Sequence, residues 1–180
     1  VYEKEHCTGS PGVKPDLVLF DFDGTLADSY PWFVGALDAV GPRYRLRPVP
    51  DDEREALRRM GAREVMARLG LPWWKVPLVA RAVRRRMHAD AHRIALFPGV
   101  PAMLVALRAA GVRTGIVTSN ARRNVEAILG RDLLGGVDAL VCDVAVLGKA
   151  RALRRLLRDR GVAAIDALYV EDVLRDADAA

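Results

Sequence analysis

Short apolar runs and amphipathic stripes alternate along most of this chain. The first run, Leu17 to Phe20, has no polar interruption, which is typical of a strand buried on both faces of a parallel sheet. Similar runs predict strands at 114–120, 137–142 and 167–170, and helical spacing predicts helices from residue 101, at 121–129 and at 149–159. Strands that alternate with helices pair in parallel through right-handed crossovers, so the pattern predicts an α/β fold with helices flanking the sheet.

The pattern changes between the first two predicted strands. Residues 29–97 contain six prolines, and amphipathic stripes run from Glu53 to Leu69 and from Leu78 to Met87, without a convincing strand. We therefore expect a helical insertion here. The predicted divisions are a flexible N-terminal lead-in at 1–14, an α/β core at 15–28 and 98–180, and a small helical cap at 29–97.

Composition and cysteine usage narrow the class of protein. Hydrophobic residues make up 51% of the 180 residues, which is enough for a sizeable core. No apolar run approaches the roughly 18 residues of a membrane span, and residues 1–14 show no signal-peptide pattern, so we expect a soluble protein. Cys7 and Cys142 lie far apart and form no C-x-x-C pair, which favours free thiols and a cytoplasmic location.

Positive charge is concentrated in the predicted cap. The formal net charge is +5, and residues 29–97 carry 14 Lys and Arg against 7 Asp and Glu. Such a basic segment is compatible with nucleic acid, but it equally suits a small anionic substrate.

Two carboxylates directly follow the first predicted strand. Asp21 and Asp23 are one residue apart, and Gly24 and Thr25 come next. Ligands of open α/β sheets bind just beyond the carboxyl ends of the strands. This turn is therefore poorly placed for packing and well placed for chemistry.

Further polar residues follow the later strands or lie in nearby loops. They are Thr118, Ser119 and Asn120 after the second strand, Lys149 at the start of a predicted helix, and Glu171, Asp172 and Asp176 after the fourth strand. Each group alone is a weak signal, because polar strand ends and single lysines are common. Only a resemblance to a known family indicates that these groups form one site at one edge of the sheet.

The stretch from Asp21 to Thr25 resembles the D-x-D-G-T motif of the haloacid-dehalogenase-like (HAD) hydrolases, and the later groups match the other three motifs of that family in order. The resemblance covers roughly residues 17–180. It implies a HAD-like, Rossmann-like parallel sheet with an all-helical cap inserted after the first strand. It also implies a Mg²⁺-dependent phosphatase that acts on a small phosphorylated metabolite, with phosphoglycolate as the default substrate by analogy.

The resemblance also implies the roles of the acidic residues. Asp21 is similar to the nucleophile that forms an aspartyl phosphate, and Asp23 to the acid that protonates the leaving oxygen and later takes a proton from water. The Mg²⁺ ligands would be an Asp21 oxygen, the main-chain carbonyl of Asp23, and Asp172.

The remaining motif residues are expected to hold the phosphoryl group. By resemblance these are Lys149 and Thr118, with Ser119 and Asn120 beside them. Glu171 and Asp176 are expected to support the site. Many family members have Gly-Asp at the fourth motif where this chain has Glu171-Asp172. The extra acid could act as an additional or outer-shell carboxylate.

Alternative functions stay open at this point. Asp23 argues against a haloacid dehalogenase, because those enzymes characteristically lack the second aspartate. An acidic pair like Glu171-Asp172 also occurs in β-phosphoglucomutase-like members, so a phosphosugar mutase is the alternative enzyme. A third hypothesis is a catalytically weak protein that binds anions or nucleic acid, although the full set of motif residues argues against it. The sequence leaves the oligomeric state open.

Three features of the predicted cap could affect substrate choice. A basic cap would suit a substrate with a second anionic group, but the consecutive residues Arg84 to Arg86 cannot share one helix face, so at most one is expected to be functional. His88 and His92 have i, i+4 spacing without a third metal ligand nearby. We expect the Trp73-Trp74 pair to form a packed turn.

Overall fold

The computed structural model describes residues 14–58, 60–145 and 148–172. Within this part of the chain, four strands form one parallel sheet in the order β3-β2-β1-β4. The strands are β1 (Leu17–Phe20), β2 (Arg113–Val117), β3 (Ala139–Val141) and β4 (Ala167–Val170). Leu19 of β1 pairs with Gly115 on one side and with Tyr169 on the other. The predicted α/β fold is confirmed.

Alternate residues of the central strands face opposite sides of the sheet, and both sides are buried. Val18, Phe20 and Ile116 belong to a cluster on one face, whereas Leu17 and Leu19 belong to a cluster on the other. The first face packs against α5 (Val100–Ala109) and α6 (Arg122–Leu129), and the second against α8 (Lys149–Arg160); the short α7 spans Arg131–Leu134. Burial on both faces explains why β1 reads as an unbroken apolar run.

The segment between β1 and β2 is helical in its described residues. Its helices are α1 (Tyr30–Tyr44), α2 (Arg54–Arg58), α3 (Ala62–Arg68) and α4 (Val76–Ala89), with 3-10 turns at 51–53, 73–75 and 91–93. Hydrogen bonds from Asp28 N to Ala95 O and from Phe97 N to Leu26 O join its two ends. This narrow neck supports a division into core (15–28 and 98–180) and cap (29–97), which stays a prediction. Below, "cap segment" means residues 29–97.

The structure divides one predicted element and shortens two others. The strand predicted at 114–120 ends at Val117. The stripe from Glu53 to Leu69 is divided, because a new helix starts after Gly61, whose N–H donates to the Glu64 carboxylate at 3.0 Å. The strand predicted at 137–142 covers only Ala139–Val141. Asp138 lies just before it and accepts a hydrogen bond from Thr114 N through its carboxylate, so the acid fixes the strand entry.

Other predictions concern location and the chain ends. None of the described helices is long and apolar enough to cross a membrane. The cytoplasmic location stays a prediction. The lead-in at 1–14, apart from Lys14, and Asp176 lie outside the described residues.

Candidate active site

The predicted site residues gather where the parallel strands end. The register pairs Phe20 of β1 with Ile116 of β2 and with Val170 of β4. Asp21 therefore follows β1 at the edge where Glu171 follows β4 and the residues from Thr118 follow β2. A hydrogen bond of 2.9 Å from Asp21 N to Val170 O extends the pairing of β1 and β4 by one residue.

Lys149, the first residue of α8, joins the first and fourth motifs. Its Nζ donates to Asp21 Oδ2 at 2.7 Å and also contacts Glu171 Oε1, and all three side chains are at most 14% exposed. Burial alone would lower the pKa of Lys149, but attraction to Asp21 and the hydrogen bonds to Asp21 and Glu171 raise it overall, so the ammonium stays charged. Glu171 is thus a partner of the lysine.

Asp23 occupies a different environment from Asp21. The pKa of Asp23 is raised to about 6, chiefly by burial and also by the charge of Asp21, against the opposing effects of hydrogen bonds from Ser29 and Asn120 and of the charge of Lys149. A carboxyl group with this pKa keeps a protonated fraction near neutral pH. That property suits a residue that gives a proton and takes one back.

A chain of buried amides holds Asp23 from the other side. The Nδ2 of Asn120 donates to both carboxylate oxygens of Asp23, at 3.0 and 3.3 Å. Asn124, which is fully buried on α6, donates through its own Nδ2 to Asn120 Oδ1 at 2.8 Å and to the main-chain carbonyl of Arg84 at 3.0 Å. The sequence reasoning missed Asn124, whose signal is a polar residue on the apolar stripe of a helix.

The other residues after β2 take up distinct positions. Thr118 is fully buried, and its Oγ1 accepts a hydrogen bond from Asn120 N at 3.0 Å. The carbonyl of Ser119 accepts a 2.9 Å hydrogen bond from the Arg84 guanidinium. The amide of Asn120, expected near the phosphoryl group, instead contacts Asp23. Phosphate binding by these residues stays a prediction.

The arrangement around Gly24 fits a small divalent cation. Gly24 has φ +81°, and a Cβ there would overlap the carboxylate of Asp172. Partial burial, followed by the charge of Asp21, raises the pKa of Asp172, so the two carboxylates repel each other. A cation held by Asp21 and Asp172 would relieve this repulsion.

The donor set limits which cation would bind. No three His, Cys, Asp or Glu side chains are grouped to hold a metal within the described residues, and the carboxylate of Asp23 is turned toward Asn120. Asp23 would then offer a metal its main-chain carbonyl. Two carboxylates and one carbonyl suit Mg²⁺, which keeps several waters when it binds to proteins.

The comparisons with known proteins identify the family. A family model described as haloacid dehalogenase-like hydrolase matches residues 18–180. The chain belongs to this family. It is 35% identical over 164 residues to a phosphoglycolate phosphatase of Synechococcus elongatus, covering 91% of this chain and 77% of the relative.

Two further comparisons agree. An N-acetylmuramic acid 6-phosphate phosphatase of Pseudomonas aeruginosa is 32% identical over 169 residues, covering 88% of this chain and 74% of the relative. The structure of CbbY from Rhodobacter sphaeroides in complex with phosphate matches with a TM-score of 0.71 at 25% identity, covering 92% of this chain and 81% of that one. This haloacid dehalogenase-like protein is thus a hydrolase of the phosphomonoesterase type.

A cavity of about 370 Å³ lies between the site and the cap segment, and we call it the cap cavity. Its end at the sheet is lined by Asp23, Gly24, Ser119, Asn120 and Asp172, and the rest by residues of the cap segment, mainly of α1, α3 and α4. Arg84 is the basic residue among its described lining. Most of the positive charge of the described cap segment therefore lies outside this lining.

The structure also settles the smaller expectations for the cap. Of the three consecutive arginines, Arg84 is partly buried and the other two are exposed, in line with one functional arginine at most. His88 and His92 are both exposed. The packed turn at Trp73-Trp74 was wrong: a 3-10 turn directs both rings outward, and they are 82% and 57% exposed.

Proposed function

We propose that this family member hydrolyses a small phosphomonoester through an aspartyl phosphate on Asp21, with Mg²⁺ as cofactor. The observation that carries the proposal is that two neighbouring aspartates, Asp21 and Asp23, have different environments. Lys149 contacts Asp21 at 2.7 Å, while burial raises the pKa of neighbouring Asp23 to about 6. One carboxylate is thus paired with an ammonium group and placed for attack on phosphorus, and the other can carry a proton.

The proposed reaction has two steps. An Oδ atom of Asp21 forms a bond to phosphorus as the bond from phosphorus to the leaving oxygen breaks, and Asp23 gives its proton to that oxygen. Water then attacks the phosphorus of the aspartyl phosphate, Asp23 takes a proton from the water, and the bond to Asp21 breaks. Inorganic phosphate and the free alcohol are the products.

The surrounding residues position these groups. Lys149, itself held by Glu171, orients Asp21 and offers positive charge to the phosphoryl oxygens. Asn120 orients Asp23 through its amide. Asp21, Asp172 and the Asp23 carbonyl would hold Mg²⁺, which when bound supplies positive charge to offset that of the carboxylates and the phosphate.

A matched pair of variants tests the nucleophile. Asp21→Asn should lose at least about 1,000-fold in turnover of p-nitrophenyl phosphate while keeping its fold by circular dichroism, because an amide cannot replace the attacking carboxylate. Asp28→Asn, at an exposed aspartate of the same loop, should keep the parent rate. An active Asp21→Asn enzyme would exclude the mechanism, and a parent rate unchanged by EDTA would exclude the metal.

Phosphoglycolate, which is named in the Synechococcus relative, is one candidate substrate. The acidic pair at the fourth motif motivated the mutase alternative, but here Glu171 contacts Lys149 and has a positioning role that suits either reaction. Conversion of a sugar phosphate to its isomer without release of phosphate would favour the mutase. The assembled site gives no support to a purely binding function.

A further inference from the structure

The cap cavity separates by polarity into a floor and walls. The floor is the proposed reaction site. The walls are built by apolar side chains of the cap segment, among them Phe33, Leu37, Val65, Met66, Val79 and Val83. Burying a charged or polar group against such walls without a partner is costly, whereas burying hydrocarbon is favourable.

Within the described part of the cap segment, Arg84 is the charged residue that lines the cavity. Arg84 lies at the floor, where its guanidinium donates to Ser119 O. Arg54 pairs with Asp38 at 3.0 Å and with Asp51 at 2.8 Å, and Arg68 pairs with Glu53. The hydroxyl of Tyr30, which also lines the cavity, donates to Arg54 O. Along the walls a carboxylate would therefore meet hydrocarbon, and the cation of the described lining, Arg84, lies at the floor.

We propose that the substrate is a phosphomonoester with an apolar organic group, alkyl or aryl, that fills the cap cavity. The inference rests on the proposed function, since it takes the phosphoryl group to lie at Asp21. Phosphoglycolate would fit this cavity poorly, because its two-carbon acid would leave most of the volume empty and place a second anion near apolar walls. A cavity of 370 Å³ is in the range of roughly 300–1,000 Å³ that small-molecule pockets span.

Chain length is the first test. Initial rates for ethyl, butyl and hexyl phosphate, phenyl phosphate and phosphoglycolate are measured with Mg²⁺. Burial of one methylene corresponds to about a fourfold gain, so kcat/KM should rise at least tenfold from ethyl to hexyl phosphate. Hexyl phosphate should also exceed phosphoglycolate.

A substitution that fills the cavity is the second test. Ala80 of α4 lines the cavity, and Ala89 of the same helix is exposed and does not. Ala80→Leu should lower kcat/KM for hexyl phosphate at least fivefold and leave ethyl phosphate nearly unchanged. Ala89→Leu, the same change on the same helix, should affect neither ester. If Ala80→Leu does not fold, inhibition of the parent by hexylphosphonate and ethylphosphonate replaces it, and the longer compound should bind at least tenfold more tightly.

The outcomes separate the two proposals. A preference for phosphoglycolate, equal rates along the alkyl series, or equal effects of the two alanine substitutions would overturn the apolar substrate and leave the phosphatase proposal intact. No turnover of any ester by folded protein with Mg²⁺ would overturn both. A rising alkyl series that is lost in Ala80→Leu supports both.

Discussion

Replacing Gly24 by alanine tests whether the Asp172 carboxylate belongs to the metal site. The added Cβ would overlap that carboxylate, with the Asp172 Cγ at 2.8 Å, so the aspartate side chain must turn away. An alanine at positive φ costs about 1–2 kcal/mol in the free energy of unfolding. Loss of the Asp172 position should weaken Mg²⁺ binding at least about tenfold, because smaller changes around metal sites already cost that much.

Gly99→Ala separates the two effects. Gly99 has φ +86°, close to the +81° of Gly24, but nothing lies within 4 Å of its Cβ position. In urea unfolding with EDTA, the free energy of unfolding of both variants should fall by about 1–2 kcal/mol. In a Mg²⁺ titration of phosphatase activity, only Gly24→Ala should shift the midpoint upward. A Gly24→Ala enzyme with the parent's midpoint, or an equal shift in both variants, would refute the placement of Asp172.

Three further predictions follow from the same contacts. Because the pKa of Asp23 is raised from 3.8 to about 6, the free energy of unfolding of the parent should fall by up to about 3 kcal/mol as the pH rises from 3.8 to about 6. In urea unfolding with EDTA, Asp23→Asn should not show this dependence on pH. Lys149→Met removes the cation that pairs with two nearly buried carboxylates and should lower the free energy of unfolding by about 3–5 kcal/mol. Arg151→Met, on the exposed face of α8, should lower it little in the same assay. Asn124→Ala should lower the free energy of unfolding by about 1–3 kcal/mol and also lower kcat, with Glu126→Ala at an exposed position as its control. An unchanged kcat would show that Asn124 does not contribute to catalysis.

The framework of the fold could be predicted because its signals are local. Leu17–Phe20 is a strand that is buried on both faces, and such a strand leaves a four-residue apolar mark on the sequence itself. The placement of Asp21 at the sheet edge follows from the end of that run. The approach of Lys149 to Asp21 is different, since 128 residues separate them. Only the family resemblance could bring them together in advance.

The remaining features depend on contacts that no local pattern records. The pairing of Glu171 with Lys149 and the amide chain from Asn124 to Asp23 each join distant segments. The cap segment is as basic as the sequence indicates, but a count of charges does not show where each side chain points. Arg54 and Arg68 pair with neighbouring acids instead of lining the cavity. The Trp73-Trp74 prediction failed for a similar reason, since ring size favours burial only where a packing partner is available.

Met87 connects the cap cavity with the residues that position Asp23. Its side chain lines the cap cavity, and its sulfur lies 2.9 Å from Nδ2 of Asn120, the amide that holds Asp23. An organic group that contacts Met87 in the cavity would therefore also affect Asn120, which positions the proton donor Asp23. Binding energy gained far from phosphorus can then be used in the transition state, so a shortened ester should react more slowly even at saturating concentration, and not merely bind less tightly.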